Sequence, residues 1–252
     1  MLAEEKAGRK GEKMKIVELL KTKNEERRAA KPVTIAFLGD SVTQGCFECY
    51  MKNETVQTVF DYKYGYANRV SEMLHILYPA AQVNIINSGV SGDSAIGGAE
   101  RLERDVLAYN PDLCVVSFGL NDSGRGVEGI EIYQKSLESI FERLRERDIE
   151  IIFLTENSMC TGTSPHLKEE KLISLSKGFA NTQNNGVLRK YFDAAEESCE
   201  KFGVKVVDLY SVWEKMIAAG VDTTELLSNK LNHPIREIHY YMAMKIVEAM
   251  LF

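Results

Sequence analysis

Five short apolar segments separated by longer helical patterns constrain the fold of this chain more than any other feature. The segments lie at residues 33–38, 83–87, 113–118, 149–154 and 204–208. Each has the length of a β-strand and is rich in valine and isoleucine, which is typical of strands buried on both faces. Strands that alternate with helices predict a parallel sheet covered by helices on both sides. We therefore expect an α/β fold with three layers, α/β/α, and about five strands.

Amphipathic patterns indicate the helices and the domain boundary. Apolar stripes over about residues 128–147 and 235–251 each lie beside a charged face, which predicts surface helices. Residues 1–30 are highly charged but carry apolar residues at helical spacing, namely Met14, Val17 and Leu20. We expect residues 1–30 to form a charged helical appendage and residues 31–252 to form a single domain, since α/β domains of this length commonly stay undivided.

Composition limits the partners and the compartment. A net charge of −6 and a pI near 5.4 argue against a phosphate-binding surface, so we expect no nucleic-acid partner. The sequence has neither a signal-peptide segment nor an apolar run long enough to span a membrane, which predicts a cytoplasmic protein that does not enter a membrane. Five cysteines without metal-ligand spacing are interpreted as reduced thiols, so we expect no metal and no cofactor.

Candidate site residues follow the first three predicted strands. Ser41 lies in the turn after the first strand, Gly92 follows the second and Asn121 follows the third. Because the carboxyl ends of parallel strands meet at one edge of the sheet, we expect these residues to converge there. Two segments, residues 46–65 and 155–184, leave the same edge and have no strong secondary-structure pattern. We expect them to line a pocket. Aromatic residues in the first of these segments could stack on a sugar or an apolar acyl chain, or could serve packing.

A serine and a histidine supply a candidate catalytic pair. Ser41 is expected to be an exposed nucleophile, which needs a base to remove its hydroxyl proton. His75 and His239 fall within predicted helices, whereas His233 precedes Pro234, and proline is favoured in the first turn of a helix. This position places His233 on a loop at the active edge, as the general base.

The chain resembles the GDSL, or SGNH, hydrolase superfamily of serine esterases in four ordered motif blocks. These are Gly39-Asp40-Ser41, Gly92, Gly119-Leu120-Asn121-Asp122 and His233-Pro234. The resemblance implies a flavodoxin-like sheet with strand order 2-1-3-4-5. It also implies an oxyanion hole made by the backbone N–H groups of Ser41 and Gly92 and the side-chain amide of Asn121. Asp40 and Asp122 would support the site without acting on the substrate.

The third member of the catalytic triad departs from the family pattern. The family usually places an aspartate three or four residues before the histidine, where this chain has Lys230 and Asn229. An asparagine can accept a hydrogen bond from the imidazole through its amide oxygen. We therefore expect Asn229, or failing it a backbone carbonyl of residues 229–231, to orient His233. Asp222 is the remaining nearby carboxylate.

These features together predict a serine esterase that hydrolyses a small acyl ester, with acetyl as the expected acyl group, through an acyl-enzyme. The resemblance makes an O-acetylated carbohydrate the leading substrate. A lysophospholipase or thioesterase acting on longer acyl chains is the alternative among enzymes. A catalytically weakened ligand-binding protein is the alternative of another class, and the missing aspartate favours it. The sequence leaves the oligomeric state open.

Overall fold

A five-stranded parallel sheet lies at the centre of the computed structural model, which describes residues 14–252. Residues 1–13, the first part of the predicted appendage, lie outside the described residues. In chain order the strands are β1 (Val33–Gly39), β2 (Cys46–Lys52), β3 (Thr55–Phe60), β4 (Val83–Gly89), β5 (Leu113–Ser117), β6 (Glu150–Leu154) and β7 (Lys205–Val207). The parallel sheet has the order β4-β1-β5-β6-β7. Numbered along the chain, its strands follow the order 2-1-3-4-5, so the predicted α/β fold and topology are confirmed.

Helices cover both faces of the sheet. They are α1 (Lys15–Glu25), α2 (Ser41–Gln44), α3 (Tyr66–Leu77), α4 (Ala95–Asp105), α5 (Ile130–Arg145), α6 (Glu170–Asn184), α7 (Val187–Phe202), α8 (Tyr210–Ala218) and α9 (Arg236–Leu251). One face packs on α1, α3 and α9, and the other on α4, α5 and α7. Strand β1 contributes to both cores, because successive side chains point to opposite faces of a sheet. Ile35 and Phe37 belong to the first core, Ala36 and Leu38 to the second.

Helix α1 packs on the sheet within the segment predicted as an appendage. Its apolar side chains Ile16 and Leu20 are fully buried in the same core as β1. The carboxylate of Glu150 accepts hydrogen bonds from the backbone N–H groups of Lys15 at 2.6 Å and Ile16 at 2.7 Å. These two contacts satisfy N–H groups that the first turn of a helix leaves without partners.

The two segments without a sequence pattern both contain regular structure. Strands β2 and β3 form an antiparallel hairpin, and α6 occupies the second half of residues 155–184. Strand β3 has no buried side chain, so its sequence lacks the alternation that a half-buried strand shows. All five cysteines are free thiols, as the sequence predicted. Within residues 14–252, none of the helices has the length and apolar character needed to cross a membrane.

Candidate active site

The chain turns sharply between β1 and α2 and places Ser41 at the start of a four-residue helix. The side chain of Asp40 caps this helix, with its Oδ1 accepting a hydrogen bond from the N–H of Val42 at 2.8 Å. Glycine is required at position 39, since an added Cβ would lie 2.0 Å from Oγ1 of Thr43 and 2.7 Å from the carbonyl oxygen of Ser117. The turn therefore depends on close packing of α2 against the ends of β1 and β5.

The side chains of Ser41 and His233 are hydrogen-bonded to each other. Nε2 of His233 lies 3.0 Å from Oγ of Ser41. The two residues are only 3% and 5% exposed, so the expectation of an exposed serine is wrong. The imidazole lies against the hydroxyl, so both members of the pair are buried.

The other ring nitrogen of His233 contacts a main-chain carbonyl. Nδ1 lies 2.9 Å from the carbonyl oxygen of Phe47 in β2. A carbonyl oxygen only accepts, so this contact places the imidazole proton on Nδ1 and leaves the lone pair of Nε2 facing the hydroxyl of Ser41. Burial lowers the pKa of His233 to about 4, although the hydrogen bond to Phe47 opposes this shift. The ring is therefore neutral at pH 7 and can accept a proton.

Asn229 does not contact the imidazole, so the predicted hydrogen bond is wrong. Its Oδ1 accepts hydrogen bonds from the backbone N–H groups of Leu231 at 3.0 Å, Asn232 at 2.9 Å and His233 at 3.0 Å. These contacts occupy the amide oxygen completely and fold the loop that carries His233. The expected alternative, a carbonyl of residues 229–231, is also replaced by the carbonyl of Phe47.

Asp222 does not supply the missing carboxylate either. Its Oδ1 accepts a hydrogen bond from the N–H of Thr224 at 3.0 Å and caps the short 3-10 helix Thr223–Leu226. Among residues 14–252, no carboxylate is hydrogen-bonded to the ring of His233. The contact expected from the acid of a triad is thus made by a main-chain carbonyl, which sequence motifs do not reveal.

Arg236 joins the histidine loop to the hairpin that carries Phe47. Its guanidinium contacts Glu48 through Nη1 at 2.6 Å and Asp61 through Nε at 3.1 Å. It also lies 4.3 Å from the centroid of the Phe47 ring, within the range of a cation–π contact. Arg236 begins α9 and follows His233 by three residues, so this single side chain connects both sides of the contact between His233 and Phe47.

Three donors predicted for an oxyanion hole differ in their surroundings. The backbone N–H groups of Ser41 and Gly92 have no hydrogen-bond acceptor among the described residues. Gly92 has φ +80°, which favours glycine, and an added Cβ would meet nothing within 4 Å. The Asn121 amide nitrogen donates to Oδ2 of Asp40 at 2.9 Å and to the carbonyl oxygen of Asp93 at 2.8 Å. Both N–H bonds of this amide are thus engaged in hydrogen bonds within the protein.

Three carboxyl groups lie buried beneath these donors. Asp40 and Asp122 were expected from the motifs, and Asp122 accepts hydrogen bonds from the N–H of Ala95 at 3.1 and 3.3 Å. Burial raises the pKa of Asp122 to about 7. The third is Glu156, whose Oε2 accepts a hydrogen bond from the N–H of Leu120 at 2.9 Å. Sequence reasoning missed it, and the only signal was a glutamate just beyond an apolar strand.

Arg101 is a second residue that the motifs did not indicate. Its guanidinium donates to the carbonyl oxygens of Gly39 at 2.9 Å and Ser88 at 2.6 Å, and to Oδ2 of Asp93 at 2.6 Å. These contacts connect the ends of β1 and β4 to the loop that contains Gly92. The loop that presents the Gly92 N–H is therefore tied to the sheet edge.

The fold and the hydrogen-bonded serine and histidine at the carboxyl edge of its sheet are typical of a hydrolytic enzyme that works by acyl transfer. The sequence profile of the GDSL-like lipase/acylhydrolase family matches residues 37–239. The chain belongs to this family of carboxylic ester hydrolases.

Several relatives carry more specific names. An acetylxylan esterase of Geobacillus stearothermophilus is 31% identical over 91 residues, which cover 36% of this chain and 40% of that esterase. The chain thus matches about two-fifths of the length of that relative. A catalytic variant of Axe2, an acetylxylan esterase of the same organism, superposes with a TM-score of 0.64 at 18% identity, covering 86% of this chain and 94% of Axe2.

A two-domain esterase active on acetylated mannans has a TM-score of 0.62 at 20% identity. The match covers 92% of this chain and 52% of that esterase, so the chain corresponds to about half of it. At these identities the structural comparisons show a common fold.

Proposed function

We propose that this protein is a serine esterase that cleaves a small acyl ester, with Ser41 as nucleophile and His233 as general base. The observation that carries the proposal is the 3.0 Å contact between Oγ of Ser41 and Nε2 of His233. The lowered pKa of the imidazole, about 4, keeps the base unprotonated at neutral pH. We assign this activity to a domain spanning residues 31–252, within which the family match lies.

The reaction would proceed in two transfers of the acyl group. His233 takes the hydroxyl proton of Ser41 as the oxygen attacks the ester carbonyl, and then gives that proton to the leaving alcohol. Water next attacks the acyl-enzyme while His233 accepts its proton, and that proton passes to Oγ of Ser41 as the bond to the acyl group breaks and the carboxylic acid leaves. The free N–H groups of Ser41 and Gly92 supply donors for the negative charge that develops on the carbonyl oxygen. Asn121 would share one of its N–H bonds with that oxygen.

The carbonyl of Phe47 would replace the acid of a triad. It holds the imidazole in the tautomer that can accept a proton from Ser41, and its oxygen is hydrogen-bonded to the N–H that becomes part of the imidazolium. A carbonyl has no full charge, so the imidazolium is stabilised less than it would be by an aspartate. We propose a working dyad on this basis.

An O-acetylated carbohydrate is our proposed substrate. The names of the relatives, which include an acetylxylan esterase and an esterase active on acetylated mannans, support this class. The low exposure of Ser41 and His233 favours a small acyl group over the longer chains of a lysophospholipid or thioester. Phe60 and Tyr62 stack with ring centroids 6.3 Å apart and are about half exposed, which is a surface that a sugar could contact. Five free thiols favour a reducing compartment, and we propose the cytoplasm.

A panel of esters tests the proposal. Hydrolysis of p-nitrophenyl acetate through decanoate is measured beside release of acetate from acetylated xylo- and manno-oligosaccharides, with Ser41→Ala as the control. We expect acetate esters to be preferred and the Ser41→Ala variant to be inactive. A preference for long acyl chains would favour the lysophospholipase or thioesterase alternative. Absence of turnover with retained oligosaccharide binding would favour a binding protein.

A further inference from the structure

Glu156 is a fully buried carboxyl group with one oxygen that no donor reaches. It lies two residues beyond the end of β6 and is 0% exposed. Its Oε2 accepts the N–H of Leu120, but Oε1 has no hydrogen-bond partner among the described residues. A buried carboxylate oxygen without a donor is costly, because nothing replaces the water that it loses on folding.

The neighbour of Glu156 is a second buried carboxyl group, Asp40. The two carboxyl groups act on each other's pKa, with Asp40 raising that of Glu156 and Glu156 lowering that of Asp40, as expected for neighbouring side chains. Both oxygens of Asp40 already accept hydrogen bonds, Oδ1 from the N–H of Val42 and Oδ2 from the amide of Asn121. Asp40 is therefore surrounded by donors, as an ionised carboxylate requires. Glu156 has only one donor, and two adjacent carboxylates do not both ionise readily in a buried site.

We propose that Glu156 is a neutral carboxylic acid at neutral pH and donates the proton on Oε1 to Asp40, which makes it a positioning residue for the esterase proposed above. In this arrangement a single side chain accepts from Leu120 at the end of β5 and donates to Asp40 at the end of β1. Asp40 in turn accepts hydrogen bonds from the N–H of Val42, which follows Ser41, and from the amide of Asn121. The acid thus joins the turn that carries Ser41 to the loop that carries Asn121.

The charges around Glu156 favour the neutral form. Burial raises the pKa of Glu156 well above its ordinary value, and the negative charges of Asp40 and Asp122 raise it further. The phenols of Tyr66 and Tyr133 also feel the charge of Glu156, and burial raises the pKa of both. Both tyrosines are therefore neutral across the working range of pH. No cationic side chain within residues 14–252 is hydrogen-bonded to Glu156.

Two substitutions separate a neutral acid from an ionised carboxylate. Glu156→Gln keeps the shape of the neutral acid, because its amide nitrogen can donate to Asp40 while its oxygen accepts from Leu120. We expect its kcat to stay within about threefold of wild type, since the hydrogen bonds are retained. Glu156→Leu removes both bonds and should lower kcat by about tenfold or more with little change in KM. Glu146→Gln changes an exposed glutamate and serves as the matched control.

The dependence of stability on pH provides a readout that does not need activity. A glutamic acid whose pKa is raised in the folded state contributes stability that is complete below its ordinary pKa and is lost as pH rises. The melting temperature of the wild type should therefore fall more steeply than that of Glu156→Gln as pH rises above the ordinary glutamate pKa of 4.5. Glu146→Gln should follow the wild type. The kcat of Glu156→Gln should likewise persist to higher pH.

Other outcomes would overturn the proposal. If Glu156→Gln is folded but loses activity as Glu156→Leu does, the ionised carboxylate is the working form. The same conclusion follows if Glu156→Gln and wild type lose stability in parallel as pH rises. Because the melting curves do not depend on catalysis, they test Glu156 even if the esterase assignment fails. They also test it if Glu156→Leu does not fold.

Discussion

Nδ1 of His233 is held by the main-chain carbonyl of Phe47 at 2.9 Å, in the position where a serine hydrolase triad has a carboxylate. This contact orients the proposed general base without a carboxylate hydrogen-bonded to its ring within residues 14–252. Burial then determines the pKa of the ring, which is lowered to about 4. The protonation behaviour of the enzyme follows from that combination.

The first prediction concerns activity at low pH. We expect kcat/KM for p-nitrophenyl acetate to remain high well below the ordinary histidine pKa and to fall near pH 4, as His233 becomes protonated. Stability should change in the same direction. Between the ordinary pKa of 6.5 and about 4 the unfolded chain binds more protons at this site, so this residue's contribution to the free energy of unfolding decreases as pH drops. An acid limb centred near 6.5 would contradict the assignment.

Substitution of the nucleophile should abolish turnover. Ser41→Ala removes the oxygen that forms the acyl-enzyme but leaves a side chain that fits the same buried turn, so its melting temperature should stay near that of the wild type. A fluorophosphonate probe followed by peptide mass spectrometry should label Ser41 alone. Ser91, on the loop beside Gly92, is the informative control, and Ser91→Ala should remain labelled. Modification of another serine would refute Ser41 as the nucleophile.

Loss of the Asn121 amide should reduce both rate and stability. An oxyanion donor typically contributes about 10² to 10³ in kcat, so we expect Asn121→Ala to lower kcat by that factor with little change in KM. The same substitution removes the amide bonds to Asp40 and Asp93. Unfolding in urea should therefore show a loss of about 1 to 3 kcal/mol. Asn84→Ala, at an exposed asparagine, serves as the control, and a pure KM effect would make Asn121 a substrate-binding residue.

Arg236 should matter because it positions the carbonyl of Phe47. Arg236→Lys keeps the charge but cannot contact Glu48 and Asp61 with one planar group, so we expect kcat to fall by about fivefold to tenfold. Lys135 forms an exposed ion pair within α5, and Lys135→Ala should have no effect on rate. The acid limb of the pH profile should shift in Arg236→Lys as the hydrogen bond to the imidazole loosens. An unchanged profile would indicate that the hairpin holds its place without the arginine.

Asn229 should affect the enzyme through the loop backbone. Asn229→Ala leaves three buried N–H groups without their acceptor and should lower both the melting temperature and kcat. Asn229→Asp keeps an acceptor for all three, so we expect it to retain the fold without raising kcat. An increase in kcat for Asn229→Asp would mean that a charge at this position reaches the imidazole after all. Steady-state kinetics and thermal melts on both variants decide between these outcomes.

The sequence predicted the sheet well because burial leaves a strong pattern. Strand β5, buried along its whole length, falls at 113–117 against the predicted 113–118. The strand order could be predicted only from the family resemblance, because apolar segments do not indicate which strands are neighbours in the sheet. The hairpin of β2 and β3 was not predicted, because β3 is exposed and its sequence does not alternate between apolar and polar residues.

Side-chain chemistry was easier to predict than main-chain chemistry. A serine and a histidine can be recognised from residue type and position, and the contact between Ser41 and His233 followed from the motifs. The contact of Phe47 could not be found in this way, because every residue has a carbonyl. The contacts of Asn229 could not be found either, because backbone N–H groups compete with the imidazole for its amide oxygen. Glu156 was missed because a glutamate beyond a strand usually lies on the surface.

The contact between His233 and Phe47 has a consequence for mutations in the hairpin. Every amino acid brings the same carbonyl oxygen to position 47, so a point mutation there cannot delete the group that contacts the imidazole of His233. The position of that carbonyl depends instead on the path of the hairpin, which the ionic contacts of Arg236 with Glu48 and Asp61 help to fix. A substitution at position 47 would therefore disturb the packing of the buried ring against Arg236 but keep the carbonyl, whereas an insertion or deletion in the hairpin would displace the carbonyl itself.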